Sequence, residues 1–186
     1  MRIVAGKYKG TALASVGKGD NGAHLRPTTD RVRESIFNLL VNGGYGEPIT
    51  DARVLDMFAG TGALGFEALS RGASFALFVD DGVKSRALIR QNIDILRVIG
   101  TTKLFRRDAT KMGPSKTDPF DLIFLDPPYG KNLGVKALTA AKEGGWLAES
   151  TLIVWEEGSE QVAPDAFEML DARKYGDTWV HILRAS

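Results

Sequence analysis

The sequence predicts a doubly wound α/β fold, in which a mainly parallel sheet carries helices on both faces. Three observations lead there. From residue 52 onward, short apolar runs alternate with amphipathic stretches. A glycine turn, Gly60-x-Gly62-x-x-Gly65, directly follows the first run, and later runs lead into Asp80, Asp108 and Asp126. Apolar runs without a polar face suit strands buried between helical layers, and such sheets bind ligands where their strands end.

Taken in order, residues 2–5 and 9–14 are strand candidates for a small β-hairpin, and the Gly-rich stretch 15–23 reads as a flexible loop. Thr28 or Thr29 can cap a helix running to about residue 41, because Val32, Ile36, Leu39 and Leu40 recur at helical spacing. Residues 54–58 form the first strand, and 63–71 a helix closed by Gly72. Strand 74–80, helix 83–98, strand 103–107, strand 120–126, helix 133–142 and strand 151–155 follow. Residues 167–175 and 178–184 flank the turn at Gly176-Asp177 and form an antiparallel hairpin at the sheet edge. The chain of 186 residues suits one domain over 1–186. Within it, 1–24 is the hairpin and loop, and 25–186 is the Rossmann-like core with its leading helix.

With no cysteine in the chain, disulfides and thiolate metal sites are excluded. His24 and His181 stand far apart, so no metal is expected and both histidines read as surface or structural. The opening MRIVAGKYKG lacks the apolar core of a signal peptide, and no run approaches the roughly 20 apolar residues of a membrane span. A cytoplasmic protein with no membrane partner is expected. Formal net charge is +1, but residues 1–41 hold seven Lys or Arg against three acids. Lys7, Lys9, Arg26, Arg31 and Arg33 in that segment are candidate contacts to a polyanion such as RNA, and Lys103, Arg106, Arg107, Lys111 and Lys116 form a second basic group.

The chemistry is expected at the strand ends. Gly60 and Gly62, with Phe58 and Thr61 beside them, form a turn that a dinucleotide could also use. Asp56 shifts that reading, since a carboxylate four residues ahead of the first glycine would crowd a pyrophosphate yet can hold an ammonium group. Asp80, with Asp81 beside it, can accept hydrogen bonds from both hydroxyls of a ribose. At the end of the third strand, Asp108 and Ala109 can meet an adenine amino group. Asp126-Pro127-Pro128-Tyr129 carries the most specific signal. An amino group conjugated to a base is a weak nucleophile. Acceptors on its two N–H bonds, the Asp126 carboxylate and the Pro127 carbonyl, favour the pyramidal nitrogen and aim its lone pair. The two prolines hold the turn rigid, and Tyr129 offers a ring on which an extruded base can stack. In-line methyl transfer from a sulfonium is the reaction that this arrangement suits.

Five segments carry a resemblance to a known family: RIVAGKYKG (2–10), LRPTTDRVRESIFN (25–38), VLDMFAGTGALGFEALSRGA (54–73), FDLIFLDPPYG (120–130) and KYGD (174–177). Together they resemble the bacterial 16S ribosomal RNA guanine-N(2) methyltransferase family over nearly the whole chain. That resemblance implies a Rossmann-like class I methyltransferase fold with a seven-stranded sheet, and S-adenosyl-L-methionine as cofactor. It implies methylation of the 2-amino group of one guanine in 16S rRNA, within a partly assembled small subunit. It also implies the roles given to Asp56, Asp80, Asp108 and the Asp126 turn. The family more often carries glutamate where Asp80 stands, which leaves the ribose to Asp80 or Asp81. Charge and size fit a monomer without a protein partner. An adenine-N(6) DNA methyltransferase would use the same two motifs but needs a target-recognition domain. A non-catalytic rRNA-binding assembly factor would not need them intact, and a nicotinamide oxidoreductase would leave the Asp126 turn without a purpose.

Overall fold

Five strands run parallel in the computed structural model, which describes residues 1–16 and 28–186: β1 (Arg53–Met57), β2 (Phe75–Val79), β3 (Thr102–Phe105), β4 (Phe120–Leu125) and β5 (Leu147–Glu157). The hairpin of β6 (Phe167–Tyr175) and β7 (Thr178–Ala185) adds two antiparallel strands, completing one sheet in the order β3-β2-β1-β4-β5-β7-β6. Strand order reverses between β1 and β4. Their carboxyl ends therefore open the crevice in which doubly wound sheets take ligands.

Strand alternation divides the core into two layers. Val54, Phe78, Phe124 and Val154 face α1 (Asp30–Asn42), α2 (Ala63–Ser70) and α3 (Val83–Leu96), while Leu55, Leu77, Leu125 and Trp155 face α4 (Leu133–Glu143). The helix α1 forms because Thr29 caps it, accepting the Val32 N–H at 3.2 Å, and because Ile36, Phe37 and Leu40 share one stripe. All three are fully buried. Each contributes about 1.5–3 kcal/mol in area removed from water. Residues 106–119, all described, contain no helix, so the β3–β4 connection covers the second layer with Ala109 and Met112 instead.

The expected elements are present, with two corrections. The fifth strand is twice as long as residues 151–155, because it crosses a register irregularity where Ser150 takes a positive φ of 60° and continues through two acids, Glu156 and Glu157. Exposed Glu149 and Ser150 hid its start, and charge disguised its end. The N-terminal hairpin is reduced to one bridge, Arg2 to Ala12, with Ile3 donating to the Thr11 carbonyl and Leu13 to that of Met1. The arm is held mostly by core side chains. Glu67 accepts the N–H groups of Val4 and Ala5, Ser70 Oγ accepts that of Tyr8, and Asn92 exchanges two bonds with Ala14. Most of the Gly-rich stretch 15–23, with His24 and Arg26, lies outside the described residues. His181 is buried between Trp155 and Trp179. Its Nε2 accepts the Gln161 N–H at 2.9 Å, so Nδ1–H donates to the Trp155 carbonyl, and burial holds the imidazole neutral by lowering its pKa. Among the described residues, no helix is long and apolar enough to cross a membrane, and no group of three His, Asp or Glu is placed to hold a metal ion.

Candidate active site

The turn after β1 is shaped by close packing. Gly62 ends it at φ 79° as the N-cap of α2, where a Cβ would lie 2.5 Å from the Phe66 ring, and a Cβ on Gly65 would lie 2.5 Å from Phe78. Both positions need glycine. Gly62 has no side chain with which to cap its helix, and Asp56 supplies the acceptor from the preceding strand, taking the Gly65 N–H at 3.0 Å. Asp56 is only 2% exposed and does not line the cavity described below. Burial pushes its carboxyl well above the usual range, opposed by the Gly65 N–H and reinforced by the charges of Asp126 and Asp80.

A cavity of about 250 Å³ opens across the ends of β1, β2 and β4. Its walls are Phe58, Val79, Asp80, Asp81, Arg107, Asp108, Ala109, Thr110, Pro128 and Leu133. Six of the residues expected from sequence thus surround one space: Phe58, Asp80, Asp81, Asp108, Ala109 and Pro128. Phe58 adopts φ 56°, a conformation that side chains rarely take and that tends to mark functional turns. Asp80 is held in place by the Gly60 N–H at 2.9 Å and the Gly82 N–H at 2.8 Å, whereas Asp81 stands exposed at the rim. Burial raises the Asp80 pKa against those two bonds. Asp108 is shifted the opposite way, because the Thr110 hydroxyl at 2.7 Å holds its carboxyl below the usual range. Gly60, Thr61 and Gly62 do not line the cavity, and the Thr61 carbonyl accepts from Asn92 Nδ2 at 3.0 Å.

At the end of β4, Pro127 is buried, Pro128 is exposed on the cavity wall, and Asp126 and Tyr129 are half-buried. Neighbouring strands brace the turn. Gly130 N–H donates to Glu157 at 3.3 Å, the Tyr129 hydroxyl lies 3.3 Å from Thr178 Oγ1, and the Tyr129 ring packs on the bare backbone of Gly158. The hydroxyl of Thr28 stands 3.3 Å from Asp126 Oδ2 and 3.3 Å from Glu156 Oε1. Sequence reasoning missed Glu156 by ending its strand at Trp155. Continuing the strand-end rule by one residue would have found it.

The basic candidates separate. Lys7, Lys9 and Arg31 are exposed, and the turn bearing the lysines docks on Ser70, where Lys7 N–H donates to the Ser70 carbonyl at 2.8 Å. That is the end of α2 opposite the glycine turn, about 12 Å along the helix. Arg33 does not belong to an RNA-facing set. It is wholly buried, paired with Glu67 at 3.3 Å and Asp30 at 2.9 Å, and it donates to the Arg2 carbonyl. Its position was legible, since residues 33, 36, 37 and 40 share the apolar stripe of α1.

A family model described as Conserved hypothetical protein 95 matches residues 1–184. The chain belongs to this family. Its similarity extends to Ribosomal RNA small subunit methyltransferase D of Escherichia coli (strain K12), 37% identical over 165 residues, covering 88% of this chain and 78% of that protein. The protein of the same name from Haemophilus influenzae is 34% identical over 185 residues, covering 95% and 89%. A solved Escherichia coli structure, provisionally assigned to the methyltransferases, superposes with a TM-score of 0.81 at 31% identity and covers 100% of this chain and 98% of that one.

Proposed function

We propose that this chain is an S-adenosyl-L-methionine-dependent methyltransferase that modifies the 2-amino group of a guanine in 16S rRNA. We further propose that it acts as a cytoplasmic monomer, in one domain, on a partly assembled small ribosomal subunit. One observation carries the reading: Pro128 belongs both to the Asp126 turn and to the wall of the cavity, so the amine-holding turn and the nucleoside cleft share a surface. The residues present fit the cofactor. Asp80, fixed at its strand end, would accept from the ribose hydroxyls, with Asp81 at the rim. Asp108 and Ala109 would face the purine, and Phe58 and Leu133 supply apolar walls. When bound, the cofactor supplies an electrophilic methyl group on a sulfonium.

The chain's own contribution is orientation. Asp126 and the Pro127 carbonyl accept the two amino hydrogens and hold the nitrogen lone pair on the side of the cleft, while Tyr129 supports the extruded base. Exposed Lys7, Lys9 and Arg31 would meet RNA phosphates away from the target base. The test is label transfer from methyl-labelled cofactor to small-subunit particles from a strain lacking the gene, followed by nucleoside digestion. N2-methylguanosine is the expected product. Label in DNA or in N6-methyladenine, or no label at all, overturns the proposal.

A further inference from the structure

We infer that the β3 edge of the molecule, built from α3, β3 and the start of the β3–β4 connection, docks the phosphate backbone of RNA beside the cofactor cleft, a reading that rests on the rRNA methylation proposed above. Residues 82–117 hold nine Lys or Arg against two acids, Asp94 and Asp108, a net of +7. The whole chain carries +1, so the other 150 residues carry −6. Residues 1–41 reach only +4, and Arg33, one of their cations, is buried.

The fold gathers these charges on one side. Strand β3 is outermost and pairs only with β2, and α3 packs over it, with Ile93, Leu96 and Leu104 in one core layer. Arg86, Arg90 and Arg97 recur along α3 at spacings of four and seven, which puts them on one stripe roughly 16 Å long. Arg90, Arg97, Lys103 and Arg106 are exposed. Among the described residues none of these four pairs with an acid, whereas Arg53, Arg71 and Arg173 elsewhere are tied to carbonyls or carboxylates. Protection of a bare sheet edge accounts for Lys103 but not for arginines on the helix above it. Arg107 joins the patch to the chemistry. It lines the cavity, its guanidinium held by the Met112 carbonyl at 2.7 Å and laid over the Phe105 ring at 5.3 Å. A polyanion lying along this edge thus reaches the lip of the cleft, and a run of RNA phosphates meets several uncommitted cations at once, each contact releasing a counterion.

The test is the salt dependence of binding to protein-free small-subunit RNA, measured for the wild type, for Arg90→Gln/Lys103→Gln/Arg106→Gln and for the charge-keeping Arg90→Lys/Lys103→Arg/Arg106→Lys. Arg97 is left in place because it caps α3 at φ 55°, and Arg107 because it lines the cavity. The glutamine variant should flatten the slope of log K against log salt by about 2–3, and the charge-keeping variant should retain the wild-type slope. In methyl transfer, KM for RNA should rise at least about 10-fold while kcat at saturating RNA stays within about twofold. Cofactor affinity by calorimetry should be the same in all three proteins, which separates a lost docking surface from a lost fold. If the triple variant unfolds, Arg90→Gln alone decides, with an expected slope change of about 0.7–0.9. An unchanged slope in the folded glutamine variant overturns the inference and leaves methyl transfer standing. So does weaker binding to small-subunit particles with undiminished binding to protein-free RNA, which would put a ribosomal protein on this edge. No methyl transfer by the wild type overturns the proposed function, and the slope, read without catalysis, still decides whether RNA docks here.

Discussion

Two carboxylates at opposite ends of α2 meet the same degree of burial with different surroundings. Glu67, near the last turn, accepts from Val4 N–H at 2.8 Å, Ala5 N–H at 3.1 Å, Arg33 Nε at 3.3 Å and Arg71 Nε at 2.9 Å. Asp56, facing the first turn, accepts from Gly65 N–H, and its charged neighbours Asp126 and Asp80 have its own sign. The difference separates an acid coordinated by several donors from one that takes a single backbone N–H beside charges of its own sign. Four donors, two of them cationic, complete the coordination of Glu67 and fasten the arm to the core. Among the described residues that line the cavity, Asp80, Asp81 and Asp108 stand with one cation, Arg107.

The largest expected effect lies at the structural end. Glu67→Ala leaves Arg33 without its buried counter-ion, with only half-exposed Asp30 remaining, and releases two backbone amides, and urea unfolding should show a loss of about 3–5 kcal/mol. Unchanged stability would remove the distinction between the two ends. The Asp126→Ala variant should keep its fold and bind cofactor within a few-fold, yet transfer methyl roughly 10²-fold more slowly in single turnover. Wild-type rates in that variant would reduce the turn to a scaffold.

Asp80→Ala sharpens the same contrast from the cofactor side. Calorimetry should report binding weaker by about 1–3 kcal/mol if its hydroxyl contacts are charge-assisted. If the affinity holds, Asp81 becomes the ribose partner. The smallest effect belongs to Asp56→Asn, which keeps an acceptor for Gly65 and removes the titration. A carboxyl raised by burial adds stability that is complete below its unfolded pKa and fades as pH rises through the folded one. The variant should lose that part of the pH dependence and be at least as stable as wild type at neutral pH. Thermal melts across pH would show it, and an unaltered pH profile would count against a perturbed Asp56.

Legibility in the sequence followed the kind of constraint. The parallel strands and the C-terminal hairpin were readable because buried parallel strands need unbroken apolar runs and the turn at Gly176-Asp177 punctuates the edge, whereas their order in the sheet was not. The strand-end positions of Asp80, Asp108 and Asp126 were readable because each follows an apolar run. The pairing of Arg33 with Glu67 was not, since a charge on an apolar stripe carries no label for its partner, and the two lie 34 residues apart. Glu156 was hidden by its neighbour Glu157, as two consecutive acids resemble the solvated end of a strand more than its buried tip.

Asn92 has a consequence for how the chain opens. Its amide binds both the N–H and the carbonyl of Ala14 and also the carbonyl of Thr61, while Glu67 and Ser70 hold the arm farther along. A chain terminus usually frays residue by residue, with amide exchange slowing gradually inward. Here the anchors belong to α2 and α3, so the amides of Val4, Ala5, Lys7, Tyr8 and Ala14 should exchange at one common rate. Hydrogen exchange should find the first sixteen residues behaving as one latch, released only when the helices themselves yield.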